Sequence, residues 1–274
     1  MTSISIGPFA LMTSTALVLV SILSVWFLVS FFTKSTDYHK FATDTLFWGV
    51  AIGFLASRIT FVIALWDIYQ ADWLSILDVR DGGFNPFVGW FAGTTFIIFR
   101  ARGQRKLMSA YFKSALIASG IIFPLFVLNT LISSQSSVNS LEVVTAEGAP
   151  HSLNIQTGKP LVINFWASWC PPCRREMPVL QDAQQKHGSI QFVFINQKES
   201  PKTARQFLDS QRITIKNNYF DFTGTSATQL GAYGLPTTLF FNAKGELVES
   251  HMGELSEATL QHYLMPLMND TSKK

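Results

Sequence analysis

The stretch NFWASWCPPCRREMP, residues 164–178, decides the fold of the second half of the chain. It contains the only two cysteines of the sequence, Cys170 and Cys173, in a C-x-x-C spacing. Two cysteines this close favour a redox pair or half of a metal site, because a framework of structural disulfides needs more cysteines at wider spacings. Pro171 suits the first turn of a helix, so the pair is predicted to lie where a buried strand ends and a helix begins.

Strands and helices alternate on both sides of this stretch. A polar, serine-rich linker at 134–140 precedes a predicted α/β domain at 141–274. β-Branched and aromatic runs bounded by turn residues indicate the strands, and Ser200 and Ser256 are predicted helix N-caps. The predicted strands are 141–146, 151–155, 160–167, 190–196, 237–242 and 247–252, and the predicted helices are 171–187, 200–211, 225–234 and 256–268.

This element order, with C-P-P-C at a strand-to-helix turn and Pro236 before a later strand, resembles the thioredoxin fold with a central insertion. Within that fold, NFWASWCPPCRREMP and YGLPTTLFFNAKGEL are similar to the TlpA/ResA-type membrane-anchored thiol–disulfide oxidoreductases. The resemblance implies that Pro236 is a cis-proline facing the cysteines and that Leu235 offers its backbone to an extended substrate. It also implies clients in cytochrome c biogenesis or copper-site assembly.

The chemistry expected of the pair follows from its place at a helix N-terminus. The unpaired amides and the dipole of the helix stabilise a thiolate there, which makes Cys170 the predicted exposed nucleophile and Cys173 the resolving thiol. Trp169, next to Cys170, is the predicted substrate contact. No metal is predicted, because the pair supplies two of the four ligands of a tetrahedral site and no second C-x-x-C exists. No cofactor is predicted.

Glu176 is the third predicted catalytic residue. It lies three residues after Cys173, at a position where the TlpA/ResA-type family has an acidic residue near its active site. The resemblance implies that Glu176 transfers a proton to or from Cys173. The alternative is a solvated helix glutamate paired with Arg174 or Arg175. Asn164 stands where reductive thioredoxins place a buried acid.

Residues 1–133 are predicted to form an all-α transmembrane domain of four helices. The predicted spans are 8–33, 45–66, 84–99 and 107–132, the first without a charge over 26 positions. A bilayer core of ~30 Å needs about 20 apolar residues. The loops 34–40 and 100–106 are basic and the loop 67–83 is acidic, so the positive-inside rule places the basic loops in the cytoplasm. The protein is thus predicted to cross a bacterial inner membrane several times, with both termini and the α/β domain outside.

The segment DVRDGGFNPFVGWFAG, residues 78–93, resembles the glycine-rich segment of the prolipoprotein diacylglyceryl transferase family. Gly82 and Gly83 match the Gly-Gly pair of that family, but Phe87 stands where its functional histidine should be. The resemblance implies a shared but truncated helical bundle without the transferase reaction. Glycines for close helix packing are the alternative. Arg58 lies within the second span. It is either a lipid-headgroup or substrate contact, or a structural residue that pairs with an outer-loop aspartate or snorkels to the membrane surface.

The sequence therefore predicts a membrane-tethered enzyme that reduces disulfides of secreted proteins. Two alternatives remain: a dithiol oxidase or isomerase with the same site, and a lipid- or protein-binding assembly module with a secondary redox role. The spans contain no cysteine, so the predicted electron donor is a separate membrane reductase with its own cysteines. A nucleic-acid partner is not predicted, because the net charge of +3 comes without a basic cluster on a soluble face.

Overall fold

The computed structural model describes residues 3–6, 9–70, 73–134 and 138–271. The chain forms two compact units. The helical unit consists of Thr13–Leu77 and Gly83–Leu131. The sheet unit takes the chain from residue 132 onward, together with an N-terminal hairpin and the short segment Asp78–Gly82.

The helical unit follows the predicted apolar runs. Its helices are α1 (Thr13–Thr33), α2 (His39–Ala64), α3 (Trp66–Tyr69), α4 (Pro86–Ala101) and α5 (Arg105–Ser134). Three of them, α1, α2 and α5, contain segments long and apolar enough to cross a membrane. The predicted span at 84–99 forms α4, whose 16 residues extend about 24 Å, less than the ~30 Å core of a bilayer.

Glycines bring α2 and α4 into close contact. A Cβ atom on Gly53 would lie 2.7 Å from the carbonyl oxygen of Gly89, and one on Gly93 would lie 2.7 Å from that of Gly49. Each helix thus presents two glycines four residues apart to the other, the arrangement that lets helix backbones approach in a membrane. Gly89 and Gly93 of the glycine-rich segment 78–93 therefore contribute to the close packing of α4 against α2.

The sheet unit contains a seven-stranded sheet of order β4-β3-β7-β6-β5-β8-β9. The central pairs β5–β6 and β6–β7 are parallel, and the remaining pairs are antiparallel. The hairpin β1 (Ser3–Ile6) and β2 (Phe9–Met12) forms a separate two-stranded sheet. The strands of the large sheet are β3 (Ser140–Val144), β4 (Pro150–Asn154), β5 (Leu161–Trp166), β6 (Gln191–Gln197), β7 (Asn218–Asp221), β8 (Thr237–Phe241) and β9 (Leu247–Met252).

Two hydrophobic clusters cover the two faces of this sheet. Alternate residues of β5 enter different clusters: Val162 and Trp166 pack on one face, Ile163 and Phe165 on the other. The face of Val162 is covered by three helices, α6 (Pro171–Lys186), α7 (Pro201–Ser210) and α9 (Glu257–Thr271). The short α8 (Thr225–Gln229) contributes to the other cluster. Since β5 is buried on both faces, its near-continuous apolar sequence is the one expected of a central parallel strand.

The sequence-based elements agree with the structure, with two differences in the sheet unit and one at the start of the chain. β7 was not predicted, although the resemblance implies a central insertion. α8 spans five residues, shorter than the predicted 225–234. The predicted first span, 8–33, begins later, because Phe9–Met12 forms β2. Ser200 and Ser256 cap α7 and α9 as predicted, accepting hydrogen bonds from the amides of Thr203 and Thr259 at 3.1 Å each.

The glycine contact between α2 and α4 predicts opposite effects for two Gly→Ala substitutions. An alanine within a helix stabilises it by about 0.5–1 kcal/mol over glycine, but the Cβ of Gly53→Ala would overlap the backbone of α4. Apart from the adjoining backbone of its own helix, a Cβ atom on Gly120 of α5 would have no atom of the described residues within 4 Å, so Gly120→Ala is the matched control. We expect Gly53→Ala to lower the thermal stability of the full-length protein in detergent, and Gly120→Ala to maintain or raise it. Equal stability of the two variants would contradict the close contact.

Candidate active site

The redox pair lies at the N-terminus of α6. Cys170 and Cys173 form a disulfide. Cys170 is the N-cap residue of the helix, and its sulfur accepts a hydrogen bond from the amide of Cys173 at 3.3 Å. Pro171 follows in the first turn, where its missing amide proton costs no hydrogen bond. The sulfur of Cys170 therefore faces the positive end of the helix dipole, which favours a thiolate at this position.

Neither cysteine is open to solvent in the disulfide form. Cys170 is 3% exposed and Cys173 is 0% exposed. The expectation of an exposed Cys170 is therefore wrong for this state, because both residues belong to the apolar cluster that α6 forms with the sheet. The neighbouring Trp169, in contrast, is 63% exposed.

The peptide bond between Leu235 and Pro236 is cis, as the resemblance to the thioredoxin fold implies. Leu235 packs against the hydrophobic cluster that contains Cys170 and Cys173. The carbonyl oxygen of Pro236 accepts a hydrogen bond from the amide of Gly253 at 3.0 Å, which ties the loop before β8 to the loop after β9.

Glu176 is buried one turn after Cys173. Its Oε1 accepts a hydrogen bond from Nδ2 of Asn164 at 2.9 Å, and its Oε2 accepts one from the amide of Leu255 at 3.0 Å. The i, i+3 spacing places Glu176 on the same helix face as Cys173. The carboxyl group is thus held between β5 and the loop before α9, on the side of the sheet where the disulfide packs.

Burial raises the pKa of Glu176 to about 8, although the hydrogen bonds from Asn164 and Leu255 oppose the rise. The charge of Glu254 adds to it. The alternative interpretation, a solvated glutamate paired with a neighbouring arginine, is wrong. Arg175 instead forms an ion pair with Glu254, with Nε 2.8 Å from Oε2.

Glu199 is a site residue that the sequence-based prediction missed. Its Oε1 accepts hydrogen bonds from the amide and the hydroxyl of Ser168, at 2.9 and 3.0 Å, and from the amide of Trp169 at 3.3 Å. Its Oε2 accepts one from Nδ2 of Asn196 at 3.2 Å. One buried carboxylate therefore fixes the two residues that precede Cys170.

The parallel pairing of β5 and β6 could have predicted the contact of Glu199 with Ser168 and Trp169. β5 and β6 are parallel, with Trp166 opposite Asn196, so the residues that follow the two strands meet at one edge of the sheet. A carboxylate three residues after Asn196 is thereby placed beside the turn that leads to the cysteines. Asn164 was noted only as the absence of an acid, yet it is the donor that holds Glu176.

Arg58 lies in the helical unit and binds backbone oxygens. Its guanidinium donates to the carbonyls of Ser75, Ile76 and Gly83 at 3.1, 3.2 and 2.8 Å. It also lies 5.5 Å from the ring centre of Tyr69. These contacts compensate the cost of burying the positive charge of Arg58 within the helical unit. They favour a structural role of Arg58 over a lipid or substrate contact.

The predicted Gly-Gly pair is divided between the two units. Gly82 belongs to the sheet unit, has a φ of +66° and would bring a Cβ atom 3.1 Å from Cε1 of His251. Gly83 belongs to the helical unit, where a Cβ atom would lie 2.5 Å from Phe61 and 2.6 Å from Nη1 of Arg58. Both positions exclude a side chain for steric reasons. The six other predicted site residues, Trp169, Cys170, Cys173, Glu176, Leu235 and Pro236, all lie in the sheet unit.

Two family models match successive parts of the chain. The Redoxin model matches residues 124–264, and the Prolipoprotein diacylglyceryl transferase model matches residues 1–132. Both resemblances drawn from the sequence are therefore confirmed.

Individual relatives carry names from the same chemistry. The Thiol:disulfide interchange protein DsbE of Tatumella citrea is 30% identical over 151 residues, 55% of this chain and 80% of that protein. The Thioredoxin-like protein YneN of Bacillus subtilis (strain 168) is 27% identical over 180 residues, 64% of this chain and 96% of that protein. The Thiol-disulfide oxidoreductase ResA of Halalkalibacterium halodurans is 29% identical over 123 residues, 43% of this chain and 68% of that protein.

The raised pKa of Glu176 predicts how the stability of the oxidised protein depends on pH. The ordinary pKa of a glutamate is 4.5, against about 8 here, so between these values the unfolded chain releases a proton that the folded chain keeps. The contribution of Glu176 to stability is full below pH 4.5 and is lost as pH rises through 8.

We expect Glu176→Gln to remove this loss of stability. Between about pH 5 and 9, the free energy of unfolding of the variant should therefore rise relative to that of the wild type. Urea unfolding of the full-length protein in detergent measures the effect. Glu142→Gln is the control, since the side chain of Glu142 is exposed on β3. Parallel pH curves for wild type and Glu176→Gln would contradict the burial of an ionisable group.

Proposed function

We propose that this chain, which belongs to the redoxin family, reduces disulfides of secreted client proteins at the outer face of a bacterial inner membrane. It is a thiol–disulfide oxidoreductase of the DsbE/ResA type. The direction of electron flow, towards the client, is the proposal. The observation that carries it is the Cys170–Cys173 disulfide at a helix N-terminus with the buried carboxyl group of Glu176 one turn further.

The reaction transfers two electrons from the reduced pair to a client disulfide. The thiolate of Cys170 attacks one client sulfur, the client S–S bond breaks, and the other client sulfur leaves as a thiolate that takes a proton. Cys173 then loses its proton and attacks Cys170 in the mixed disulfide. The client leaves with two thiols, and the Cys170–Cys173 disulfide is formed again.

Glu176 is the proposed acceptor of the Cys173 proton. A pKa of about 8 lies close to the ~8.5 of an ordinary thiol, so the proton moves between the two groups at little cost. The protonated carboxyl group then needs an acceptor. Oδ1 of Asn164 has no partner among the described residues, and a half-turn of this amide would point it at Glu176. The same turn would let the hydroxyl of Thr238, now an acceptor from Asn164, donate instead.

The charges around the pair support a reductase over an oxidase. Strongly oxidising proteins of this type stabilise their reduced, thiolate form. Here the buried groups near the pair are carboxyl groups, Glu176 and Glu199, which do not stabilise a thiolate. The two nearby cations are engaged: Arg175 pairs with Glu254, and Arg174 lies 5.3 Å from the ring centre of Phe207.

Client binding is proposed at the surface around Trp169 and Leu235. The exposed indole of Trp169 offers apolar contact, and the backbone of Leu235, before the cis-proline Pro236, offers hydrogen bonds to an extended segment. The proposed clients are apocytochromes c or proteins of copper-site assembly, as the resemblance to the TlpA/ResA type implies. No diacylglyceryl transfer is proposed, since the phenyl ring of Phe87 cannot carry a proton.

A topological argument supports four membrane crossings. The segment Asp78–Gly82 belongs to the sheet unit, so it and residues 138–271 share one side of the membrane. Among the described residues, the helices α4 and α5 connect them along the chain. Since α5 is long and apolar enough to cross a membrane, we propose that α4 crosses in the opposite direction. The basic loops 34–40 and 100–106 then lie on the opposite, cytoplasmic side.

The proposed direction of electron flow predicts the reduction potential of the cysteine pair and the formation of mixed disulfides by a variant that lacks Cys173. We expect a reduction potential nearer to the about −270 mV of thioredoxin than to the about −120 mV of a strong oxidant. Cys173→Ala should accumulate mixed disulfides through Cys170 with client proteins, and Cys170→Ala should not. Equilibration of the full-length protein with glutathione or dithiothreitol buffers gives the potential. A potential near that of the strong oxidant would show that the protein is an oxidase and not a reductase.

The electron donor is proposed to be a separate membrane protein with its own cysteine pair. Passing electrons by thiol exchange requires thiols on both sides of the membrane or a relay within it, and this chain has no cysteine before Cys170. In sealed vesicles with the sheet unit outside and dithiothreitol only inside, we expect the disulfide to stay oxidised. Dithiothreitol added outside is the positive control. Reduction from the inside without an added partner would show that the helices carry electrons themselves.

A further inference from the structure

The loop between β9 and α9 controls one of the two hydrogen bonds to Glu176. The amide of Leu255 in this loop donates to Oε2 of Glu176 at 3.0 Å. Ser256 follows at once and caps α9, accepting from the amide of Thr259 at 3.1 Å. The position of the Leu255 amide therefore depends on how firmly Ser256 is held.

Asp81 holds Ser256. The hydroxyl of Ser256 donates to Oδ2 of Asp81 at 2.8 Å, within the sheet unit. Oγ1 of Thr259 is a competing acceptor at 3.2 Å, but the carboxylate is closer and charged and therefore binds the proton more strongly. With its proton directed at Asp81, the hydroxyl keeps a lone pair for the Thr259 amide. Asp81 is 4% exposed, so water competes little for this bond.

The rest of the segment Asp78–Gly82 also lies against this loop. Gly82 approaches the ring of His251, whose Nε2 lies 3.3 Å from the carbonyl oxygen of Glu254. A Cβ atom on Gly253 would lie 4.0 Å from the carbonyl oxygen of Arg80. The segment therefore lies close to three residues of this turn, His251, Gly253 and Ser256.

We propose that Asp81 is a positioning residue for Glu176: through Ser256 it fixes the Leu255 amide and so sets how readily Glu176 exchanges a proton with Cys173. The inference rests on the proposed proton transfer by Glu176. It assigns a role in the redox site to the R-D-G-G segment, residues 80–83, which the oxidoreductase chemistry leaves unexplained.

The direction of the effect follows from the geometry. The hydrogen bond from Leu255 lowers the pKa of Glu176, because it stabilises the ionised form. Loosening Ser256 weakens that bond, so the pKa of Glu176 should rise further. Other charged and titratable groups also lie around the site. They are His251 and Glu254 of the turn, Arg175 of α6, Asp78 and Arg80 of the segment, and Tyr263 of α9.

The test compares the pH dependence of thiol exchange in full-length variants in detergent. The reduced protein is mixed with 5,5′-dithiobis(2-nitrobenzoate), and the rate of the second, Cys173-dependent step is followed across the pKa of Glu176. We expect Asp81→Ala and Ser256→Ala to move the Glu176-dependent inflection upward by roughly half to one pH unit. Ser256→Thr, which keeps the hydroxyl, should restore the wild-type profile, and Asp81→Asn, with a neutral acceptor, should fall between.

Asp78→Ala is the matched control, since it removes a carboxylate from the same segment without touching Ser256. If Asp78→Ala moved the inflection by the same amount, the shift would be a general effect of charge and not an effect of positioning by Asp81. An unmoved inflection in both Asp81→Ala and Ser256→Ala would overturn the inference.

Two further measurements separate this inference from the proposed function. Glu176→Gln should abolish the inflection, and a profile unchanged in that variant would refute the proton transfer itself. Hydrogen exchange of the peptide around Leu255 then tests the positioning on its own. We expect its protection to fall in Asp81→Ala and Ser256→Ala and to survive in Asp78→Ala, and full protection in all three would overturn the role of Asp81.

Discussion

The proposed chemistry of this protein depends on one buried carboxyl group. Glu176 is withdrawn from solvent beside a disulfide, and burial of an ionised carboxylate is costly unless donors surround it. The two donors come from opposite directions: a side-chain amide on the central strand and a backbone amide in the loop before the last helix. The strand, the redox helix and the last helix must therefore pack together correctly before the group can work.

Two opposing electrostatic effects act on the cysteine pair. The start of α6 favours a thiolate on Cys170 through its amides and dipole, a stabilisation of the order of 1 kcal/mol. When ionised, the carboxyl groups of Glu176 and Glu199 oppose additional negative charge. Burial raises the pKa of Glu176 to about 8, so this opposition weakens below that pH and the helix effect dominates at Cys170. The proposed transfer of the Cys173 proton requires the ionised form of Glu176. The two sulfurs thus differ in reactivity although they lie one turn apart.

Most of the sheet unit was predictable because its signals are local. Apolar runs such as Leu161–Trp166 predicted buried strands, and a serine before a proline predicted the start of α7. β7 was missed because Asn218–Asp221 is four residues long and polar at both ends. The start of α4 was also predictable from local sequence, since Asn85 caps the helix and Pro86 is its first residue.

The candidate site was predictable only in part, since its remaining contacts join residues far apart in sequence. The C-x-x-C spacing predicted the redox pair, but no local pattern distinguishes a buried Glu176 from a solvated one. That distinction requires Asn164 and Leu255, which lie 12 and 79 residues away. The contact of Asp81 with Ser256 spans 175 residues and crosses two helices of the other unit along the chain.

Because Asp78–Gly82 belongs to the sheet unit, the part of the chain after the linker does not contain the whole of that unit. A fragment cut at the serine-rich linker would retain every strand of the large sheet and both cysteines, but it would lack Asp81. Its redox properties would describe a site with a differently supported Glu176. The proposed redox site therefore extends beyond the segment 124–264 that the Redoxin model matches, because Asp81 lies outside that segment.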